Sequence, residues 1–171
     1  MQDTKHKTLN SEQKEEKMTR RRITILATIC LFILGLLISP VQAFEGSYKV
    51  GALFSVTGRT SFLGDPEKKT AEMVAEQINA AGGINGKKLE LIVYDTEGDA
   101  TKANLALKKL ITKDKVSVVI GPSLSGTSLA VLPVAEQNKT PLISCAASYK
   151  IVHNAKTGKP YKWVFKTPQT D

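Results

Sequence analysis

The chain has 171 residues, 42% of them apolar and 23% charged, with a net charge of +8; these values argue neither for disorder nor for multiple membrane spans. Seven basic and four acidic side chains fall within 1–43, which leaves about +5 for the remainder. Its lysine pairs, Lys68-Lys69, Lys87-Lys88 and Lys108-Lys109, stand apart with no interleaved aromatics; a nucleic-acid partner needs a contiguous basic stripe and is not expected.

Arg20, Arg21 and Arg22 precede an apolar stretch at 23–38, and Val41-Gln42-Ala43 then offers small residues at the spacing that signal peptidases accept. A signal peptide over 1–43, cleaved after Ala43 on general secretion to the periplasm, is the expectation. An uncleaved anchor is the alternative, although the stretch is shorter than the roughly 20 residues of a span. Thr19-Arg20-Arg21-Arg22-Ile23 also faintly resembles a twin-arginine signal. Residues 1–17 are polar and long for a leader, and Met18 would make an ordinary start, so a misassigned start codon is one reading of them. Cys30 lies in the leader without the small residues of a lipid-modified cysteine. Cys145 is then a lone thiol, so the exported part has no disulfide framework and relies on its core.

Residues 48–56 read as a strand with Val50, Ala52 and Phe54 on one face, continuing into a Thr57-Gly58 loop. Asp65 is expected to cap a helix with Pro66 in its first position, and Ala71, Val74, Ala75, Ile78 and Ala81 recur at helical spacing until Gly82-Gly83. The Ile84-Asn85-Gly86-Lys87 turn leads into a doubly buried strand at 89–94. After a polar loop, Asp99 is expected to cap a helix whose stripe is Ala103, Ala106, Leu107, Leu110 and Ile111. A third strand at 116–120, a loop at 121–125, a helix at 126–137 with a kink at Pro133, and short strands at 142–144 and 163–166 complete the pattern.

Strands alternating with helices through short connections predict an α/β fold, an open doubly wound and mostly parallel sheet of order 2-1-3-4-5. Such sheets bind ligands beyond the strand carboxyl ends where the winding reverses, here between the first and third strands. That selects the loops at 55–65 and 121–126.

The motifs Tyr48-Lys49-Val50-Gly51, Thr57-Gly58, Gly64-Asp65, Tyr94-Asp95, Ile120-Gly121-Pro122, Ser125-Gly126 and Pro141-Leu142-Ile143-Ser144 accompany the run Ile78-Asn79-Ala80-Ala81-Gly82-Gly83-Ile84-Asn85-Gly86-Lys87. Together they resemble the amino-terminal lobe of the branched-chain amino acid (leucine/isoleucine/valine) binding proteins, over nearly all of 48–171, and the Asn-Ala-Ala-Gly-Gly-Ile-Asn-Gly run is the most specific part. The resemblance implies a periplasmic-binding-protein lobe at 44–171. It further implies a solute receptor for an ATP-driven importer, a permease in the inner membrane as partner, no cofactor and no enzymatic activity. Members close two lobes on their solute, and this sequence stops near the crossover to the second. A truncated fragment that binds weakly, on the order of millimolar, is therefore expected.

By the same resemblance Ser125 matches the serine that holds the ligand α-carboxylate, while Ala146 and Ser148 match contacts to its carboxylate and amino groups. Leu63 sits where relatives place an aromatic against the ligand side chain, and Gly126 belongs to the same site. Independently of any relative, a hydroxyl on a loop that opens a helix, with free N–H groups behind it, suits a carboxylate. The bland alternative for Ser125 is a plain helix cap.

Other chemistry is thin. Asp95, Glu97 and Asp99 lack the glycine turn and distal glutamate of a calcium loop, and 121–126 has neither the P-loop ending nor the G-x-S-x-G of a hydrolase elbow. The rival functional reading is an exported flavodoxin-like enzyme or sensor that binds phosphate or another anion at the same switch point.

Overall fold

Strands apolar on both faces persist only where helices cover each face, and the computed structural model builds that arrangement. It describes residues 18, 20, 21, 26, 44, 46–154 and 156–169. Apart from those first four positions, the expected leader, its cleavage point at Ala43 and Cys30 lie outside the described residues. The chain divides into Met1–Gln42 and Ala43–Asp171, and every element named here belongs to the second unit.

Strand β1 (Ser47–Phe54) is followed by helix α1 (Ser61–Ala80), β2 (Lys88–Asp95), α2 (Ala100–Lys109), β3 (Val118–Ile120), α3 (Ser125–Asn138), β4 (Leu142–Ser144) and β5 (Val164–Lys166). The sheet order is β2-β1-β3-β4-β5 with every neighbour parallel, the order the alternation predicts. The strand period of two sorts the faces. Leu53, Val119, Leu142 and Val164 pack with Ala103 and Leu107 of α2 and Val131, Leu132 and Ala135 of α3 into one buried core. Val50, Phe54, Val118, Ile120 and Ile143 point the other way, toward α1.

Helix α2 begins where expected. The Asp99 backbone is extended and its Oδ1 accepts the Lys102 N–H at 2.7 Å, satisfying one orphan donor of the first turn. Its buried stripe runs past the regular helix into a π-turn, Leu110–Asp114, where Leu110 is wholly buried. Helix α3 continues through Pro133 as one element.

Helix α1 corrects the sequence reading. It starts at Ser61, so Asp65 is no cap and Pro66 lies inside the second turn. The first turn is held by the Gly58 carbonyl, which accepts from Ser61 N–H, and the Thr60 carbonyl, which accepts from Leu63 N–H at 3.0 Å. It also packs where only glycine fits: a Cβ on Gly64 would lie 2.3 Å from the Ser55 carbonyl oxygen. Pro66 removes a single bond near the helix start, and Asp65 instead pairs with Lys69 at 2.7 Å. Of the expected apolar stripe only Ala75 is buried, while Val74 is 42% exposed. Ala71, Val74 and Ile78 line a cavity of about 620 Å³ between α1 and the sheet.

The run at 78–87 ends α1 and starts β2. Gly83 N–H donates to the Ile78 carbonyl at 2.9 Å, and Ile84 and Lys87 exchange two backbone bonds (2.8 and 3.0 Å) around Asn85-Gly86, both at positive φ. The Asn79 carboxamide acts as a surrogate strand for Leu89, donating to its carbonyl at 2.9 Å and accepting its N–H at 2.8 Å.

Candidate functional site

At the carboxyl ends of the strands three loops meet. Ser55 N–H, just past β1, donates to Ser123 Oγ at 3.0 Å, and Ser55 Oγ and Thr96 Oγ1 share a hydrogen bond of 3.1 Å. A side chain at Gly98 would strike Thr60 Oγ1 at 2.9 Å and Leu124 Cδ1 at 3.3 Å, so the loops after β1, β2 and β3 touch there.

Asp95 ties the first two loops together. Its carboxylate accepts the N–H groups of Val56 (2.9 Å), Thr57 (3.1 Å) and Glu97 (2.9 Å) and the Thr57 hydroxyl (2.5 Å). Burial pushes its pKa up, but the Thr57 hydroxyl and the three N–H groups outweigh it and hold Asp95 below its ordinary value. The acidic loop is therefore a brace: Asp99 caps α2 and Glu97 pairs with Lys102 at 2.6 Å. Among the described residues no group of three or more His, Cys, Asp or Glu is placed to hold a metal ion.

A second brace links α1 to the third loop. Ser123 Oγ donates to Glu67 Oε2, whose pKa is raised by burial and partly restored by that same bond. Burial, with the Glu67 charge, pushes the Cys145 thiol up to about 11, against a backbone bond from Gly121. Cys145 is thus a protonated, inert thiol at neutral pH. Glu67 and Cys145 close one end of the apolar cavity beside α1, which lacks the convergent donors that a carboxylate needs.

The loop after β4 is held residue by residue. Cys145 N–H donates to the Pro122 carbonyl at 3.2 Å, Ala146 N–H to Ser144 Oγ at 3.1 Å, and Ser148 N–H to Ser125 Oγ at 3.4 Å. Ser144, wholly buried, is fixed in turn by Ser128 Oγ at 2.7 Å. Lys166 Nζ, at the end of β5, donates to the Ala147 carbonyl.

Of the five residues singled out from sequence, Ser125 and Ser148 are joined by a hydrogen bond, Ala146 is held by Ser144 in the same loop, and Gly126 follows Ser125. Leu63 comes from a separate element, the first turn of α1, where it is 39% exposed beside Phe62 at 72%. Ser125 is not a cap: the capping position is Leu124, with no side-chain bond, and Ser125 is the first helical residue. The N–H groups of α3's first turn have no acceptor within the helix and carry its positive dipole end. No acidic residue occurs in 121–128 or 144–148. The arrangement offers hydroxyl and N–H donors to an anion. The sequence reading gave Glu67 and Lys166 no role and missed the bracing roles of Asp95 and Ser123. Asp95 and Lys166 carry the local signal of a polar residue at a strand end; Glu67, inside α1, carries none.

A periplasmic binding protein family model matches residues 47–171. The chain is 31% identical over 119 residues to the leucine-, isoleucine-, valine-, threonine- and alanine-binding protein of Pseudomonas aeruginosa, covering 70% of this chain and 31% of that one. Among solved structures it is similar to the branched-chain amino acid transporter substrate binding protein LivJ from Streptococcus pneumoniae in complex with isoleucine (TM-score 0.66, 31% identity, 72% of this chain and 34% of that one). It is also similar to a solute binding protein of an ABC transporter from Rhodopseudomonas palustris in complex with 3,4-dihydroxy benzoic acid (TM-score 0.62, 26% identity, 72% and 32%). The chain spans about a third of the length of the curated relatives it matches.

Proposed function

Because the chain belongs to the periplasmic binding protein family, we propose that it captures an amino acid of the branched-chain type, or a related small carboxylate, by non-covalent bonds at the strand carboxyl ends. In this reading the protein is exported, with its leader removed after Ala43, and delivers its solute to an ABC permease in the inner membrane.

The observation that carries the reading is the 3.4 Å approach of Ser148 N–H to Ser125 Oγ. A serine hydroxyl that accepts one bond still has its own proton to give. Ser125 Oγ therefore stands ready as a donor at the positive end of α3, and Gly126 N–H lies beside it. A carboxylate placed there replaces water with charge-assisted bonds, each contributing about 1.5–3 kcal/mol. The Ala146 N–H is engaged by Ser144, which leaves the Ala146 carbonyl and the Ser148 hydroxyl for the solute's ammonium group. Leu63, with Phe62 beside it, supplies an apolar wall for the side chain. The neighbour that holds 3,4-dihydroxy benzoic acid keeps aromatic carboxylates within the class.

The test is a titration of the chain with L-isoleucine, L-leucine and 3,4-dihydroxybenzoate, followed by NMR and calorimetry. Ser125→Ala is expected to weaken the bound member about 10-fold and to lower the thermal midpoint slightly, because the Ser148 N–H loses its acceptor. Unaltered affinity in that variant, or no binding by any carboxylate in the panel beside binding of inorganic phosphate, overturns the reading.

A further inference from the structure

Lys166 ends the edge strand β5 and pairs in register with Ser144. Its ammonium donates to the Ala147 carbonyl in the loop after β4 and to the Gln169 carbonyl at 3.3 Å in the segment after β5. Among the described residues it has no carboxylate partner. Its backbone neighbour reinforces the same junction, since Thr167 N–H donates to the Ser144 carbonyl at 3.1 Å. The two ends of the β4 loop are therefore fixed from different sides. Ser128 and Ser144 hold the Ala146 amide from inside the core, and Lys166 holds the Ala147 carbonyl from the sheet edge.

We propose that Lys166 is a positioning residue for the solute site, fixing the peptide that links Ala147 to Ser148 and placing a positive charge behind it. The inference rests on the reading of Ser125 and Ser148 as carboxylate contacts. The Ala147 carbonyl belongs to the peptide whose N–H is Ser148's, so turning that carbonyl toward Lys166 turns the Ser148 N–H the opposite way, toward Ser125 Oγ. One peptide plane thereby couples the ammonium at the sheet edge to the hydroxyl at the mouth of α3. The charge adds a second, longer-range effect: an anion at Ser125 is attracted to the Lys166 ammonium, and salt screens that attraction.

Three forms of the full chain separate these ideas: wild type, Lys166→Met, which keeps the stem and removes the charge, and Lys166→Arg, which restores a donor. Amide exchange needs no solute. In Lys166→Met the Ser148 amide is expected to exchange ~10-fold faster while amides of α2 and β1 keep their protection, and Lys166→Arg is expected to recover most of the difference. Titration with L-isoleucine then reads affinity. Lys166→Met is expected to bind ~10-fold more weakly and with less dependence on salt than wild type. Unchanged exchange at Ser148 in Lys166→Met overturns the proposal whatever the binding result. Faster exchange with unchanged affinity and salt dependence overturns its functional half, provided Ser125→Ala still weakens binding. If Ser125→Ala has no effect, the site reading itself is what fails.

Discussion

The two ends of the sheet are built from similar residues and do opposite things with them. At the amino end, between α1 and β2, the 78–88 turn is closed by bonds to its own neighbours: Asn79 to Leu89, Gly83 to Ile78, Ile84 to Lys87. At the carboxyl end the bonds stop one group short. Ser125 Oγ accepts from Ser148 and keeps its proton, and the first N–H groups of α3 have no acceptor in the helix. A closed polar network fixes the chain and an incomplete one is available to a solute. The run most specific to the family thus lies at the end away from the proposed site, and its glycines and asparagines answer to turn geometry.

The strongest way to break this contrast is at Gly83. Its φ is +74, and a Cβ there would lie 2.2 Å from the Lys87 carbonyl oxygen and 2.7 Å from Phe44 Cε1, so a methyl group meets backbone that cannot yield cheaply. Gly83→Ala is expected to lower unfolding free energy by about 3 kcal/mol, combining left-handed strain with displacement of the turn. Urea denaturation measures the loss, and L-isoleucine affinity of the folded fraction should stay within about twofold of wild type. An affinity loss equal to that of Ser125→Ala would erase the distinction between the ends.

Asn79 sharpens the same contrast at smaller scale. Asn79→Ala leaves the Leu89 N–H and carbonyl without their side-chain partner, both partly buried, and is expected to cost about 2 kcal/mol. Asn79→Asp is the informative companion, because a carboxylate can still accept the Leu89 N–H but opposes the Leu89 carbonyl instead of donating to it. Equal stability of wild type and Asn79→Asp would show that the carbonyl bond contributes nothing.

The amino end was legible in the sequence because its partners are close neighbours along the chain: ten residues separate Asn79 from Leu89, and the Gly82-Gly83 and Asn85-Gly86 pairs announce their positive φ. The alternation that predicts the sheet order and the cap at Asp99 are local in the same sense. The start of α1 was misread because the signal at Asp65-Pro66 is local, whereas the cause that overrides it, Gly64 lying against Ser55, is tertiary contact. The braces of the site were illegible for the same reason. Ser123 reaches Glu67 across 56 residues, Asp95 reaches Val56 across 39, and Lys166 reaches Ala147 across 19. Ser125 was singled out by resemblance and as a hydroxyl that opens a helix, but its place as the first helical residue, not the cap, depends on where the third loop meets α3.

Asp95 gives the smallest expected effect and the one that tests whether the carboxyl end is braced by charge. Its pKa is held below the ordinary value because the Thr57 hydroxyl and the N–H groups of Glu97, Thr57 and Val56 outweigh the opposing effect of burial. A carboxyl group whose folded pKa is depressed contributes stability that is complete above its unfolded pKa, about 3.9, and that is lost as pH falls through the folded value. Since Asp95 remains partly open to water, screening limits the contribution to about 1 kcal/mol. Asp95→Asn keeps the shape and removes the charge, so the gap in thermal midpoint between wild type and variant should be constant from pH 7 to about 5 and shrink below about 4 as the wild-type carboxylate protonates. A gap that persists undiminished at the acid end would mean that the brace works by shape and neutral hydrogen bonds alone. In that case the carboxyl end owes its order to the same uncharged bonding as the amino end, and the difference between the two reduces to the few donors left open at α3.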